Sequence, residues 1–337
     1  MKPKRLWFYF QIIVTLGLIF LLLRNFDWVS FGALIQQIPL WFYPLSLGLL
    51  FAGQVAYTIR WYIVLRSLDV EVSLIALIEQ YLIAIFFSNF LPTAIGGDWS
   101  RIYYLGQKKG YINAGASVFT DRFLGFFSMT ILATLIIWML NLTTPTFIVA
   151  RDLLTIGSVG FVCGFIAIAM FPIDGWIVRL ASRYPALSKF GKAAAQFLVQ
   201  IRQANLRPRV LVASLIMVMI YFGLLAITYQ TFFALAGSDV NILPLIAALM
   251  SIAILTNIPI TVNGIGLREQ LHWVLFTGLG IQRKEVSVSI SLILLFDFMV
   301  ISVVGYILWL RMKVENRLAL DAGAKAQLSV IQTKTEL

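Results

Sequence analysis

The charged residues able to do chemistry in this chain sit in two short stretches of similar design. The first is Pro92-Thr93-Ala94-Ile95-Gly96-Gly97-Asp98-Trp99-Ser100-Arg101. The second is Pro259-Ile260-Thr261-Val262-Asn263-Gly264-Ile265-Gly266-Leu267-Arg268, with Glu269 next. In each, a glycine follows the proline by five positions and an arginine by nine, and an asparagine stands just before (Asn89, Asn257). Proline ends a helix and glycine permits a tight turn, so each stretch predicts a helix that breaks and restarts. The restarted helix presents unpaired N–H groups, and such an end attracts anions. Arg101 and Arg268 fall about one turn into it, and the planar guanidinium fork suits phosphate. Two arginines and two helix N-termini together predict a site for a phosphate or pyrophosphate group of a lipid head. The structural alternative is that the charges merely lock the turns. Arg101 would pair with Asp98, three residues away on one helix face, and Arg268 with the adjacent, less well placed Glu269.

The elements that must hold these stretches are legible in the composition. The 337 residues are 60% hydrophobic and 12% charged, with mean hydropathy +0.90. A soluble domain carries roughly twice that charge fraction, so an integral membrane protein is expected. Lipid admits helical bundles and closed barrels. The apolar runs reach the ~20 residues a spanning helix needs, which fixes the expected fold class as an all-α polytopic membrane protein. A net charge of +11 would suggest nucleic acid in a soluble protein. Here the basic residues cluster between apolar runs, as in cytoplasmic loops, and no nucleic-acid partner is expected. One cysteine, Cys163, and one histidine, His272, exclude an internal disulfide, a Cys-based zinc site and a His-rich metal centre. No cofactor or metal is expected.

Six full spans are predicted, at about 6–23, 40–59, 123–140, 153–171, 210–235 and 286–310. The first follows Lys2, Lys4 and Arg5 and reads as an uncleaved anchor with its N-terminus inside. Residues 74–107 end at Lys108-Lys109. A single crossing there would put those lysines, and the basic segment 172–209, on the outer side, against the positive-inside rule. A re-entrant hairpin turning at the first stretch keeps them inside. Residues 241–282 must then enter and leave on the outer side, turning at the second stretch. Two opposed hairpins of broken helices are the topology of an inverted repeat, with halves at about 40–171 and 210–311. Residues 1–317 form one membrane domain. The segment 172–209 is read as a cytoplasmic loop or surface helix, and 318–337 as a cytoplasmic tail.

Other ionisable residues lie in or beside the apolar runs. Asp121 and Arg122 are placed at the cytoplasmic mouth of the 123–140 span. Glu79 stands about one turn into its run and, with Asp297, is a candidate for carrying a proton or forming an ion pair. Asp297, mid-span, is the most anomalous carboxylate; it would carry a proton or form an ion pair, with Arg122 or Arg268 as candidate partners. His272 is expected to be a hydrogen-bonded helix residue.

The pattern of Pro92, Gly96, Gly97, Asp98 and Arg101, then Asp121-Arg122, then Gly264, Gly266, Arg268 and Glu269, resembles the flippase-like membrane family. That family includes the transmembrane region of lysylphosphatidylglycerol synthases. The resemblance covers about residues 5–315. The family commonly approaches the second motif with proline-glycine-glycine, where this chain has Val262-Asn263-Gly264. The resemblance implies translocation of a lipid or lipid-linked headgroup between leaflets of a prokaryotic plasma membrane. It implies substrate contacts at those residues; Asn89 and Asn257, beside the two prolines, are further candidates from their position alone. No synthase domain follows and no ATP-binding loop is present, so neither synthesis of aminoacylated lipid nor enzymatic activity is expected. Membrane lipids are the expected partners. The competing readings are an intramembrane transferase using Asp98, Asp121 and Glu269, a small-solute transporter, and a partner that recruits a lipid-modifying enzyme through 172–209.

Overall fold

The computed structural model describes residues 3–24, 26–90, 96–170, 197–199, 202, 207–258, 260–261 and 264–335. Among these the regular structure is entirely helical. In chain order the helices are α1 (Pro3–Leu23), α2 (Trp28–Gln37), α3 (Phe42–Ser67), α4 (Leu74–Phe90), α5 (Gly96–Lys109), α6 (Tyr111–Met139), α7 (Pro145–Met170), α8 (Pro208–Leu235), α9 (Ile242–Thr256), α10 (Leu267–Gly278) and α11 (Lys284–Thr335). Five are long and apolar enough to cross a bilayer: α3, α6, α7, α8 and the Lys284–Lys313 part of α11. Tyr9–Leu23 and α2 form a pair bent by 81°, which brings the count to six if the pair is one span. The bend is set by Asp27, whose carboxylate accepts from the amides of Val29 and Ser30 at 3.0 and 3.1 Å and so starts α2 afresh.

α4 and α5 hold 17 and 14 residues, about 25 and 21 Å at 1.5 Å per residue, less than the ~30 Å hydrocarbon core. They fold back on one another. Gly97 lies against the Ala84 carbonyl and Ser88, with no room for a Cβ. One turn on, Arg101 lies over the Tyr81 ring, and further along Leu105 and Leu77 share a core cluster. The contacts therefore run backwards along α4, as in an antiparallel hairpin. α9 and α10 do the same. α8 runs out to Leu235 and α9 returns from Ile242. His272 and Phe276 of α10 pack on Tyr229, and Phe276 also on Phe233, so α10 runs parallel to α8 and antiparallel to α9.

The two hairpins enter from opposite ends of the bundle. Leu65, Val70, Leu77, Leu105 and Ala114 form one cluster at one end. At the other end Gly278 packs on Thr144 and Phe147, and the Lys284 ammonium reaches the Leu21 carbonyl. Both hairpin tips stop inside the bundle. Asn89, at the tip of α4, donates to Ser302 Oγ at 2.7 Å, about two-thirds of the way from Lys284 to Lys313 in α11, and Glu269, just past the second tip, meets Ser291, about a quarter of the way along. The packing of the two units corresponds. α3 lies along α8, and each hairpin packs against the closing helix of the other unit, α4 on α11 and α9 on α6. Since α3 and α8 start at opposite ends, the two span–hairpin–span units are inverted, as in many transporters. α7 packs outside this correspondence, against α6 and α10.

Three boundaries move. α3 continues to Ser67 and α6 begins at Tyr111, so Arg60 and Asp121-Arg122 lie inside helices and not at their mouths. α11 continues as helix through the tail to Thr335. The segment 172–209 falls mostly outside the described residues; of it, Phe197 packs edge-on to Phe119 of α6 at 5.8 Å.

Candidate functional site

A cavity of about 410 Å³ lies where the hairpin tips meet, walled by α3, α4, α5, α6, α8, α9, α10 and α11. Its wall carries Arg60, Arg101, Arg122 and Arg268 against Asp98 and Asp121. A guanidinium at this depth is expensive unless paired, and the pairs are present. Asp121, 1% exposed, accepts from Arg60 Nε at Oδ1 and from Arg101 Nη2 at Oδ2, both at 2.8 Å. Arg122 Nε donates to Asp98 Oδ2 at 2.7 Å, while Arg101 Nη1 reaches Asp98 Oδ1 at 3.5 Å. Five charged side chains from α3, α5 and α6 thus form one chain of ion pairs with three cations and two anions. Rings flank the cations: Arg101 lies 4.0 Å from the Trp61 centroid and Arg60 4.5 Å from that of Tyr57. Gly125 makes space for this clasp, because a Cβ there would stand 2.7 Å from Arg60 Nη1.

The second hairpin contributes a self-contained pair. Gly264 and Gly266 take φ of +75° and +79°, a left-handed backbone that glycine alone adopts at no steric cost. This turns the chain into α10. Glu269 reaches back to the Gly266 amide at 2.8 Å through Oε2 and accepts from Arg268 Nε and Nη2 at 3.0 and 2.8 Å through Oε1. Ser291 of α11 donates to the same Oε1 at 3.2 Å. His272 Nδ1 lies 2.7 Å from the Arg268 carbonyl, which can only accept, so Nδ1 carries the hydrogen. Its Nε2, 2.5 Å from Tyr229 Oη, then accepts from the phenol in the neutral ring.

Most of the residues expected at the site are brought together. Gly97, Asp98, Arg101, Asp121, Arg122, Asn257 and Arg268 line the cavity. Gly96 is buried at the start of α5, and Gly264, Gly266 and Glu269 build the turn behind Arg268. Pro92 lies outside the described residues, as do Pro259, Val262 and Asn263. Three expectations are corrected. Glu79 is exposed on the outer face of α4, because the helix turns Leu77 and Gln80 inward instead. Asn89 is off the cavity wall and ties α4 to α11. Asp297 accepts from the Ser46 hydroxyl and forms no ion pair among the described residues, since α11 turns it toward α3; this removes the ion-pair alternative and leaves the proton one. Arg268 and Glu269 pair well despite adjacency, because the Gly266 turn folds the carboxylate back over the helix start. Arg60 is the functional candidate the spacing missed. The signal was the run Trp61-Tyr62-Ile63-Val64-Leu65, which continues apolar beyond it.

The sequence matches the family described as Lysylphosphatidylglycerol synthase TM region over residues 8–305. A UPF0104 membrane protein of Pyrococcus horikoshii is 26% identical over 282 residues, 76% of this chain and 82% of that protein. A UPF0104 membrane protein of Methanothermobacter thermautotrophicus is 24% identical over 269 residues, 74% of this chain and 79% of that protein. No solved structure matches the chain.

Proposed function

Since the chain belongs to the family of the lysylphosphatidylglycerol synthase TM region, we propose that it moves a phosphate-bearing lipid or lipid-linked headgroup between leaflets, leaving it chemically unchanged. The observation that carries the reading is the cavity itself: four arginines against two aspartates, at the junction of two hairpin tips that enter from opposite ends. Guanidinium groups bind phosphate oxygens through paired, charge-assisted hydrogen bonds. A site at the junction of inverted hairpins can open to either side while staying in place. The headgroup sits at the arginines and the acyl chains stay in lipid. Exposed Arg66, Lys108, Lys109, Arg207, Arg209, Arg311 and Lys313 gather at the end where hairpin α4–α5 enters, with Asp69 and Glu71 as the acidic residues beside them. On the positive-inside rule, we read that end as the cytoplasmic one.

The test is mass spectrometry of lipids co-purifying with the wild type and with Arg268→Ala. That substitution leaves Glu269 held by Gly266 and Ser291. Selective enrichment of one phosphate-bearing lipid, lost in the variant, is expected. An unselective profile unchanged by the substitution would sink the reading, and a lipid of altered mass after incubation would replace it with transferase chemistry.

A further inference from the structure

We propose that Asp297 is a proton-binding site of the transport cycle: it holds a proton while the seam between α3 and α11 is closed and gives it up when that seam admits water. The inference rests on the lipid-translocation reading and adds its source of energy, a proton gradient across the membrane.

Asp297 stands near the middle of the bilayer-crossing part of α11, Lys284–Lys313, about 20 Å from Lys284 at 1.5 Å per residue. It is 2% exposed, and Ser46, its partner across the seam, is fully buried. Leu294 and Phe298 of the same helix line the central cavity; Asp297 is turned to the back of that wall, onto α3.

An isolated carboxylate charge at this depth costs far more than a neutral acid unless a cation answers it. Among the described residues none does. The helices packed on α11 are α2, α3, α4, α8 and α10. α2 carries no ionisable side chain. On α3, Tyr43 is the titratable group nearest Ser46 along the helix, and Arg60 is held by Asp121. On α4, Glu79 faces outward and Tyr81 lies against Arg101. On α8, Tyr221 is stacked on Tyr57, and Tyr229 is bonded to His272 of α10. Arg268 of α10 is turned to Glu269. On α11 itself, Tyr306 is stacked on Trp309 and Lys284 reaches the Leu21 carbonyl. The one hydrogen-bond partner that meets Asp297 is the neutral hydroxyl of Ser46.

The placement links this proton to both hairpins. Six residues before Asp297, Ser291 bonds Glu269 of the second hairpin; five residues after it, Ser302 bonds Asn89 at the tip of the first. Loss of the proton leaves a carboxylate with one hydroxyl, and the seam must widen to hydrate it. α11 then shifts between its two hairpin contacts, so one protonation event acts on both. The proton leaves to water on one side and is replaced from water on the other, with no bond made or broken in the lipid. A proton gradient thereby biases which end of the cavity is open.

Two measurements on the full chain test this. At neutral pH the infrared spectrum of the wild type is expected to show the C=O stretch of a protonated carboxylic acid that Asp297→Asn lacks. Ser46→Ala is expected to keep that band and move it to higher frequency, because the carbonyl loses a hydrogen bond. No band that these variants remove or move overturns the inference, whatever the lipid does. In vesicles carrying tail-labelled phosphatidylglycerol, a gradient of about one pH unit is expected to shift the steady-state leaflet ratio by up to about tenfold relative to protein-free vesicles, the worth of one proton per lipid. Asp297→Asn, accepted if its melting temperature holds, is expected to let the probe equilibrate without answering the gradient. Movement in the wild type that ignores the pH gradient, or follows a sodium gradient instead, overturns the proton site and leaves translocation standing. Absence of any protein-dependent movement overturns both.

Discussion

Replacing Asp121 with asparagine strands a cation. The carboxylate neutralises Arg60 and Arg101 together, each at 2.8 Å, with side chains 7% and 5% exposed. A pair of unit charges about 4 Å apart is worth about 4 kcal/mol at an effective dielectric of 20. Arg101 keeps Asp98 at 3.5 Å and the Trp61 ring. Among the described residues Arg60 keeps only the Tyr57 ring, and its Nη1 is already without an acceptor. Removing one partner of such a pair costs about 3–5 kcal/mol, because a buried charge is left uncompensated. With an unfolding entropy of about 2.1 cal/mol/K per residue, that lowers the melting temperature of a chain this long by about 4–7 °C. The assay is thermal unfolding of Asp121→Asn, Arg60→Met and the double variant, closed as a cycle. The double variant is expected to recover part of the loss, with a coupling of at least about 1.5 kcal/mol. A single variant melting within a degree of wild type, or a cycle with no coupling, would refute the clasp.

Gly97→Ala drives a methyl group into the Ala84 carbonyl, which is backbone and cannot swing aside. A loss of about 1–3 kcal/mol is expected, against no loss for Gly48→Ala in α3, where a Cβ meets nothing within 4 Å; equal melting of the two would contradict the hairpin contact. With Cys163 replaced, single cysteines at exposed Gln107 and Gln282 are expected to react with an impermeant thiol reagent from opposite sides of the membrane, and labelling from one side would refute opposed hairpins. In the break before α2, hydrogen bonds from the Ser30 hydroxyl and amide hold the Asp27 carboxyl below its ordinary 3.8. A depressed carboxyl stabilises the fold above the unfolded value and loses that effect as pH falls through the folded one. The stability gap between wild type and Asp27→Ala should therefore be present at pH 7 and close below about pH 3.8; a gap that persists there would show the cap does not act through the carboxylate. Amide exchange is expected to be faster in 264–278 than in 96–109, since among the described residues the first hairpin is tied to α6 by two ion pairs and the second only by neutral contacts and Ser291; the reverse order would contradict this ranking.

Both hairpins were legible because proline and glycine act locally, as Gly97, Gly264 and Gly266 do. The opposed entry followed from where basic residues could lie. The clasp was not legible, for two reasons. Arg60 was read as a span end because a charge closes an apolar run. The helix instead ends where the backbone turns, at Ser67 before Asp69 with φ +57°. Asp121-Arg122 was misplaced likewise, because α6 starts after Gly110, at φ +87°. Second, Asp121 meets partners 61 and 20 residues away, and no spacing rule reaches that far. Helical phase gave no help with Glu79 or Asn89. In lipid a helix is apolar on every side, so Ile75, 73% exposed, and Leu77, fully buried, look alike in sequence.

The scaffold is inverted and matched, yet its charge is not. The arginines that match in sequence, Arg101 and Arg268, both stand near the start of the second helix of their hairpin, Arg101 within the second turn of α5 and Arg268 in the first turn of α10. Arg101 reaches across to Asp121 on α6, whereas Arg268 turns back to Glu269 on its own helix. The closing helix of the second unit, α11, offers Ser291 near the Arg268–Glu269 pair, where α6 offers Asp121 to Arg101. Between helices, the first end is therefore held by ion pairs from α5 to α6 at 2.7 and 2.8 Å, and the second by one 3.2 Å hydroxyl–carboxylate bond from α11 to α10. Two short ion pairs outweigh one long hydrogen bond, so the end where α9 and α10 enter is the easier to open in this conformation. A phosphate drawn to the open guanidinium of Arg268 would compete with Asp98 and Asp121 for the arginines of the clasp. On the proposed function, that competition would give an anionic ligand a differential affinity for the state in which the first end is released, which is what a ligand needs to shift such an equilibrium.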